Sequence, residues 1–174
     1  YSKYCNLFLG TKYSPIRKEF WDLNLRGIRN IENITKILVM FGGSDIRSLA
    51  PPTIRILLDE FKDVEIVTIQ GRSSCSLSET KILASIHDRL TVYAEPTTSD
   101  LVNYMLQSDI AISAAGQTLQ ELAHLGLPTI AVKVAENQDD NIKGWPDSNI
   151  IIPIMSYNSK NYKRNRETCS NCRR

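Results

Sequence analysis

KILVMFGGSD, from Lys36 to Asp45, opens with an apolar run and closes on two glycines, a serine and an aspartate. Ile37 to Phe41 is apolar at every position, so both faces of such a strand need cover. That pattern belongs to a sheet sandwiched between helices rather than to one with a wet face. The glycines punctuate the strand end, and the residues beyond them take up a helical period through Ile54, Leu57, Leu58 and Phe61. Pro51 and Pro52 fall early in that stretch, where the first turn of a helix tolerates proline.

The same alternation continues downstream. Val64 to Ile69 reads as a strand ending at Gly71, with a serine-rich turn and a helix over Glu79 to His87. Leu90 to Tyr93 reads as the third strand, and Thr97, Thr98, Ser99 and Asp100 form a capping cluster ahead of a helix from Leu101 to Gln107. Asp109 to Ser113 is the fourth strand, followed by a helix from Gln117 to Leu125 that Gly126 is placed to terminate. Pro128 to Val134 is the fifth, with TIAVKV again apolar on both sides, and it runs into a polar loop from Ala135 to Gly144. Ile150 to Ile152 is compatible with one more short strand. Strands alternating with helices give an α/β fold with a doubly wound parallel sheet, Rossmann-like in kind. Residues 1–35 read as a linker or docking segment, 36–155 as the α/β domain, and 156–174 as a disordered basic tail.

A chain of 174 residues suits one domain with a full core. Its net charge of +2 is too small to indicate nucleic acid or an anionic membrane as partner. No apolar run approaches the ~20 residues of a membrane span, and the start YSKYCNLFLG lacks the pattern of a secretory signal. A cytoplasmic location is expected. The first residue is Tyr1 rather than methionine, so an upstream part of the gene is expected to be missing from this chain. Cys169 and Cys172 form a lone C-x-x-C without two further ligands at zinc spacing, since neither His87 nor His124 is suitably placed. Together with Cys5 and Cys75 they are expected to be unpaired thiols in a reducing compartment. No metal and no cofactor are expected.

In an open α/β sheet, ligands bind beyond the carboxyl ends of the strands, and three polar segments fall there. Gly42, Gly43, Ser44 and Asp45 either form a tight strand-to-helix turn or let the backbone approach a ligand whose phosphate meets the next helix start. Ala115, Gly116, Gln117 and Thr118 place small residues and free amides at a helix start that attracts a diphosphate. Glu121 shares a helix face with Gln117 and Thr118; it either accepts hydrogen bonds from ribose hydroxyls or simply complements the helix dipole. Asn137, Gln138 and Asn141 belong to a segment that suits sugar hydroxyls or forms a solvated loop. Asn141 and Lys143 dilute Asp139 and Asp140 too far for a dense acidic cage.

LFLGTKYSPIRKEFW (Leu7 to Trp21), the GGSD turn, AISAAGQTLQELAHLGLPTIAV and Asn137-Gln138 to Asn141 occur in this order in a known group. Over roughly Leu7 to Gly144 the chain resembles the C-terminal half of the pseudaminic-acid-pathway UDP-sugar hydrolases and the related spore coat polysaccharide biosynthesis proteins. Those are similar in turn to the nucleotide-binding half of the lipid II-forming N-acetylglucosaminyltransferase, a glycosyltransferase of the two-domain GT-B fold. The resemblance implies that UDP or a UDP-sugar is the ligand, that the glycine-rich turn lies near the diphosphate, and that Glu121 meets the ribose. It implies also that Asn137, Gln138 and Asn141 face the cleft, and that the catalytic histidine belongs to an N-terminal domain absent here. No catalytic residue is therefore assigned, and His87 and His124 are each expected to be structural or surface residues. The leading expectation is the UDP-sugar-binding half of a hydrolase that releases UDP from a deoxy-diacetamido sugar, inactive without its missing N-terminal domain or partner chain. A GT-B transferase half and a non-catalytic, partner-dependent binding subunit are the alternatives.

Overall fold

The computed structural model describes residues 5, 6, 8, 10–23, 31–145 and 150–154. Six strands form one sheet: β1 (Lys36–Met40), β2 (Glu65–Gln70), β3 (Leu90–Ala94), β4 (Ile110–Ala114), β5 (Thr129–Val132) and β6 (Ile151–Ile154). Every pairing is parallel, and the order across the sheet is β3-β2-β1-β4-β5-β6. The fold is thus an all-parallel, Rossmann-like α/β domain, as the double-faced apolar strands require. The order reverses at β1: the chain builds outward to β2 and β3, then returns to place β4 on β1's other side.

The helices are α1 (Ala50–Glu60), α2 (Leu77–Ala84), α3 (Thr98–Gln107), α4 (Thr118–His124) and a short α5 (Asp139–Lys143). Because side chains alternate along a strand, β1 feeds two cores. Ile37 and Val39 join Ile54, Leu57 and Leu58 of α1 and Leu83 of α2 on one side. Leu38 and Met40 join Leu101, Val102 and Met105 of α3 and Leu122 of α4 on the other. Each fully buried side chain of this size contributes about 1.5–3 kcal/mol. A third, smaller cluster of Leu119, Ala131, Ile142 and Ile151 seats α5 at the β5–β6 end.

Local signals set the ends of these elements. Thr97 accepts the Asp100 amide at 3.2 Å and its hydroxyl reaches the Asp100 carboxylate at 2.6 Å, closing the start of α3. Gly126 stops α4 in a left-handed conformation, φ 65°, so that Leu127 donates back to the Leu122 carbonyl. At the amino edge of the sheet, Asp109 accepts from the Thr35 and Lys36 amides at 2.8 and 2.9 Å, pinning β4 to β1.

Two expectations need correction. Ala135 to Gly144 is not a plain loop: it contains a 3-10 turn, Glu136–Gln138, followed by α5. Ile142, buried against Leu119, Ala131 and Ile151, is the apolar anchor that makes the helix worthwhile. Cys75, half-buried in the β2–α2 turn, is disulfide-bonded rather than a free thiol; Cys5 is free and exposed. Ile151–Ile154 does complete the sheet as an edge strand. Residues 156–174, expected to form a tail, lie outside the described residues.

Ile16, Phe20 and Leu23, in the strap of residues 10–23 ahead of β1, pack against the domain. Phe20 is fully buried in the α3/α4 core, and the His124 ring Nε2 lies 2.9 Å from the Phe20 carbonyl. His124 thus ties α4 to this strap.

Candidate functional site

A cleft of about 480 Å³ opens at the carboxyl ends of β1, β4 and β5, where the strand order reverses. Such a volume fits a small-molecule ligand. Neighbouring connections leave β1 and β4 toward opposite faces, and the gap between them is the crevice that doubly wound sheets use.

One wall is the turn after β1. Gly42 takes φ 80°, a region that costs a side chain, and a Cβ there would meet open space; the glycine serves the backbone path. Gly43 faces away from the cleft: its carbonyl accepts the Gly71 amide at 2.9 Å. The Ser44 carbonyl likewise accepts the Cys75 amide at 3.1 Å, while the residue lines the cleft. Asp45 touches the cleft too, but its carboxylate is committed. It accepts from the Leu49 and Ala50 amides at 2.9 and 3.0 Å and from the Ser76 hydroxyl at 2.6 Å. Asp45 therefore caps α1 across the loop and ties it to the β2–α2 turn. Burial pushes its carboxyl above the usual range, against the opposing pull of those three donors. A carboxylate held there already answers the positive end of α1, so an anionic ligand gains little from that helix.

The opposite wall is the turn after β4. Its first backbone bonds run from Leu119 to the Gly116 carbonyl and from Gln120 to Gln117, so the amides of Gly116, Gln117 and Thr118 precede the helical ladder. Gly116, Gln117 and Thr118 all line the cleft, with Ser113 beneath them. Ala115 does not: it is buried, donates to the Val132 carbonyl and accepts from Asn141 Nδ2 at 2.9 Å. Asn141 is in this way a brace between α5 and the β4–α4 turn, away from the cleft. Gln138 lines it, yet its Oε1 holds the Val134 amide at 2.9 Å. Asn137, exposed, is the member of the trio whose side chain is not spent on the local backbone by any such bond.

Glu121 departs furthest from expectation. It does not line the main cleft. Its buried carboxylate meets Arg17 of the strap, with Arg17 Nε 2.6 Å from Oε1 and Nη2 2.5 Å from Oε2. The pair faces an adjoining cleft of about 470 Å³, lined also by Pro15, Ile16, Gln117 and Thr118. Gln117 and Thr118 belong to both, so the two clefts form one continuous surface. Glu121 raises the affinity of the Arg17 guanidinium for its proton.

Two cations escaped the sequence reading. Arg47 lines the main cleft directly after the turn; a cation two residues beyond Asp45 was the available signal. Arg17 gave none, being separated from Glu121 by 104 positions. Lys133 is paired with Asp139 at 2.5 Å beside the cleft. Among the described residues, no three His, Cys, Asp or Glu side chains gather closely enough to hold a metal ion. No helix there is long and apolar enough to cross a membrane.

No protein-family model matches the sequence. The chain is 28% identical over 145 residues to an uncharacterized protein of Methanocaldococcus jannaschii, covering 78% of this chain and 30% of that one. It is 27% identical over 126 residues to the UDP-N-acetylglucosamine--N-acetylmuramyl-(pentapeptide) pyrophosphoryl-undecaprenol N-acetylglucosamine transferase of Rickettsia typhi, covering 62% and 32%. It is 26% identical over 120 residues to the spore coat polysaccharide biosynthesis protein SpsG of Bacillus subtilis, covering 68% and 35%. The chain thus spans about a third of the length of the curated relatives it matches. Among solved structures, S. aureus MnaA with UDP superposes with a TM-score of 0.56 at 17% identity, over 77% of this chain and 36% of that one. MurG of Acinetobacter baumannii gives 0.51 at 19%, over 80% and 41%. From topology and likeness together, this chain has the Rossmann-like fold of one half of a GT-B glycosyltransferase-like architecture.

Proposed function

We propose that this domain binds a UDP-sugar, with the pyrophosphate in the cleft between the Gly42–Asp45 and Gly116–Thr118 turns. The observation that carries this reading is the cleft at the β1/β4 reversal, walled by amides ahead of a helical ladder and by Arg47. Amides aimed at an anion and a guanidinium beside it are the groups that hold a diphosphate. The same groups stabilise the negative charge that grows on UDP as its bond to the sugar breaks. Asn137 and Gln138 stand at the rim where the sugar hydroxyls would lie.

In this reading the domain is the nucleotide-sugar half of a two-domain enzyme of surface polysaccharide or nonulosonic acid biosynthesis. Another domain supplies the group that activates the attacking oxygen. If that oxygen comes from water, the enzyme is a UDP-sugar hydrolase. Transfer to a sugar or lipid hydroxyl is the second reading, and the match to the Rickettsia typhi transferase favours it.

Calorimetry with UDP, ADP and inorganic pyrophosphate tests the proposal. UDP is expected to bind more tightly than ADP, and pyrophosphate to compete with it. Equal and negligible binding of all three would remove the nucleotide site and leave a non-catalytic module. Turnover of a UDP-sugar by this chain alone would overturn the requirement for a second domain.

A further inference from the structure

A further cavity, of about 280 Å³, opens between the strap, α4 and Trp145 beyond α5. It shares Ile16 with the cleft beside Glu121 and no residue with the main one. Residues three and four apart share a helix face, so α4 turns Gln120, Ala123 and His124 this way while Gln117 and Thr118 serve the other clefts. The strap is held against the domain here. A Cβ on Gly144 would stand 2.7 Å from Thr11 Cγ2, and Gln117 Nε2 donates to the Pro15 carbonyl.

The polar groups around this cavity lack partners. Gln120 is only 7% exposed, yet its amide meets no hydrogen-bond partner among the described residues, and neither do the Thr11 and Ser14 hydroxyls. A buried amide left unpaired is costly. Neither amide atom is wholly enclosed, and Gln120 lines this cavity but not the two clefts. The Phe20 carbonyl can only accept, so His124 donates from Nε2, and Nδ1 is the acceptor of its neutral ring. Trp145 supplies an indole whose Nε1 is buried without a partner. No acidic side chain lines the cavity, and Lys12 is exposed at its edge.

We propose that this cavity is a second carbohydrate site, which takes one monosaccharide unit away from the nucleotide cleft. A ring hydroxyl both donates and accepts, as do the Gln120 amide and the Thr11 and Ser14 hydroxyls. The C–H surface of a sugar ring suits Ile16, Ala123 and the indole beside them. A volume at the low end of ligand pockets, about 300 Å³, takes one such ring rather than a nucleotide. The site stands independently of the nucleotide-binding reading above.

The test titrates the whole, nitrogen-labelled chain with glucose, galactose and N-acetylglucosamine, read by NMR on the Trp145 indole N–H and the Gln120 side-chain amide. At least one sugar is expected to shift both signals saturably, with a Kd of about 1–10 mM, and UDP is expected to leave that binding in place. Gln120→Leu, followed on Trp145, is expected to weaken it about 10-fold. Leucine has a similar volume and removes an unpaired amide, so this variant is expected to melt no lower than wild type. Ser14→Ala, at the strap, is the second variant and is expected to weaken binding about 3-fold. No saturable shift with any of the three sugars up to about 100 mM overturns the site. Binding that a folded Gln120→Leu retains in full, or that UDP displaces, overturns it too. Sugar binding without UDP binding removes the nucleotide reading and leaves this site standing.

Discussion

Gly71 donates its amide to the Gly43 carbonyl at 2.9 Å, and a Cβ on Gly71 would stand 2.3 Å from that same oxygen. The β2–α2 turn and the turn after β1 therefore touch backbone to backbone, and no side chain fits between them. Gly71→Ala is expected to lower stability by about 1–3 kcal/mol, as overpacking does, and to displace the cleft wall. Gly43→Ala is the contrast, since nothing lies within 4 Å of its Cβ position; it should stay within about 0.5 kcal/mol of wild type. Denaturant melts of the pair check this, and equal midpoints would dismiss the contact.

Asp45 gives a pH prediction. Its folded-state pKa is raised, chiefly by burial, above an unfolded value of about 3.9. A group raised on folding contributes stability that is complete below the unfolded pKa and is lost as pH rises through the folded one. Wild type should therefore gain stability relative to Asp45→Asn as pH falls from about 7 to 4. Urea midpoints for both proteins across that range measure it. Parallel pH curves would refute the assignment.

Gly116 separates binding from folding. A Cβ there meets only Gln138 Nε2, at 3.8 Å, and the backbone is not left-handed. Gly116→Leu should fold with a stability change of about 1 kcal/mol or less, yet project its side chain into the cleft. UDP affinity is expected to drop at least ~10-fold. Retained affinity in a folded variant would place the ligand elsewhere.

Asn137 and Asn141, four residues apart, are expected to behave oppositely. Asn141→Ala strips the Ala115 carbonyl of its donor and should cost about 1–2 kcal/mol of stability. Asn137 is exposed at the cleft, so Asn137→Ala should leave the melt unchanged and weaken UDP-sugar more than UDP. Thermal melts paired with calorimetry distinguish them, and a destabilised Asn137→Ala would contradict the division.

The strands were legible because burial on both faces leaves its mark residue by residue, as in Ile37 to Met40. The ends of α3 and α4 were legible because Thr97 and Gly126 act within a few residues of where they stand. Asp45 was readable as a turn residue but not as a tether, since one of its partners, Ser76, lies 31 positions away. Glu121 announced a carboxylate one turn into a helix; nothing local announced that Arg17 would claim it. The short α5 was hidden because five residues with one apolar anchor, Ile142, carry no readable period.

Leu38 of β1 lies beside Ala111 of β4, yet two whole strand-and-helix units intervene along the chain. The cleft walls come together only after that long segment has folded and closed, which is the slow, late kind of event in assembling a parallel sheet. A chain folded as far as β3 lacks the walls that Ser113–Thr118 and Val134–Gln138 give the cleft. Any ligand selecting the finished cleft would consequently retard hydrogen exchange across the central strands as one cooperative block, rather than merely quieting the loops it touches.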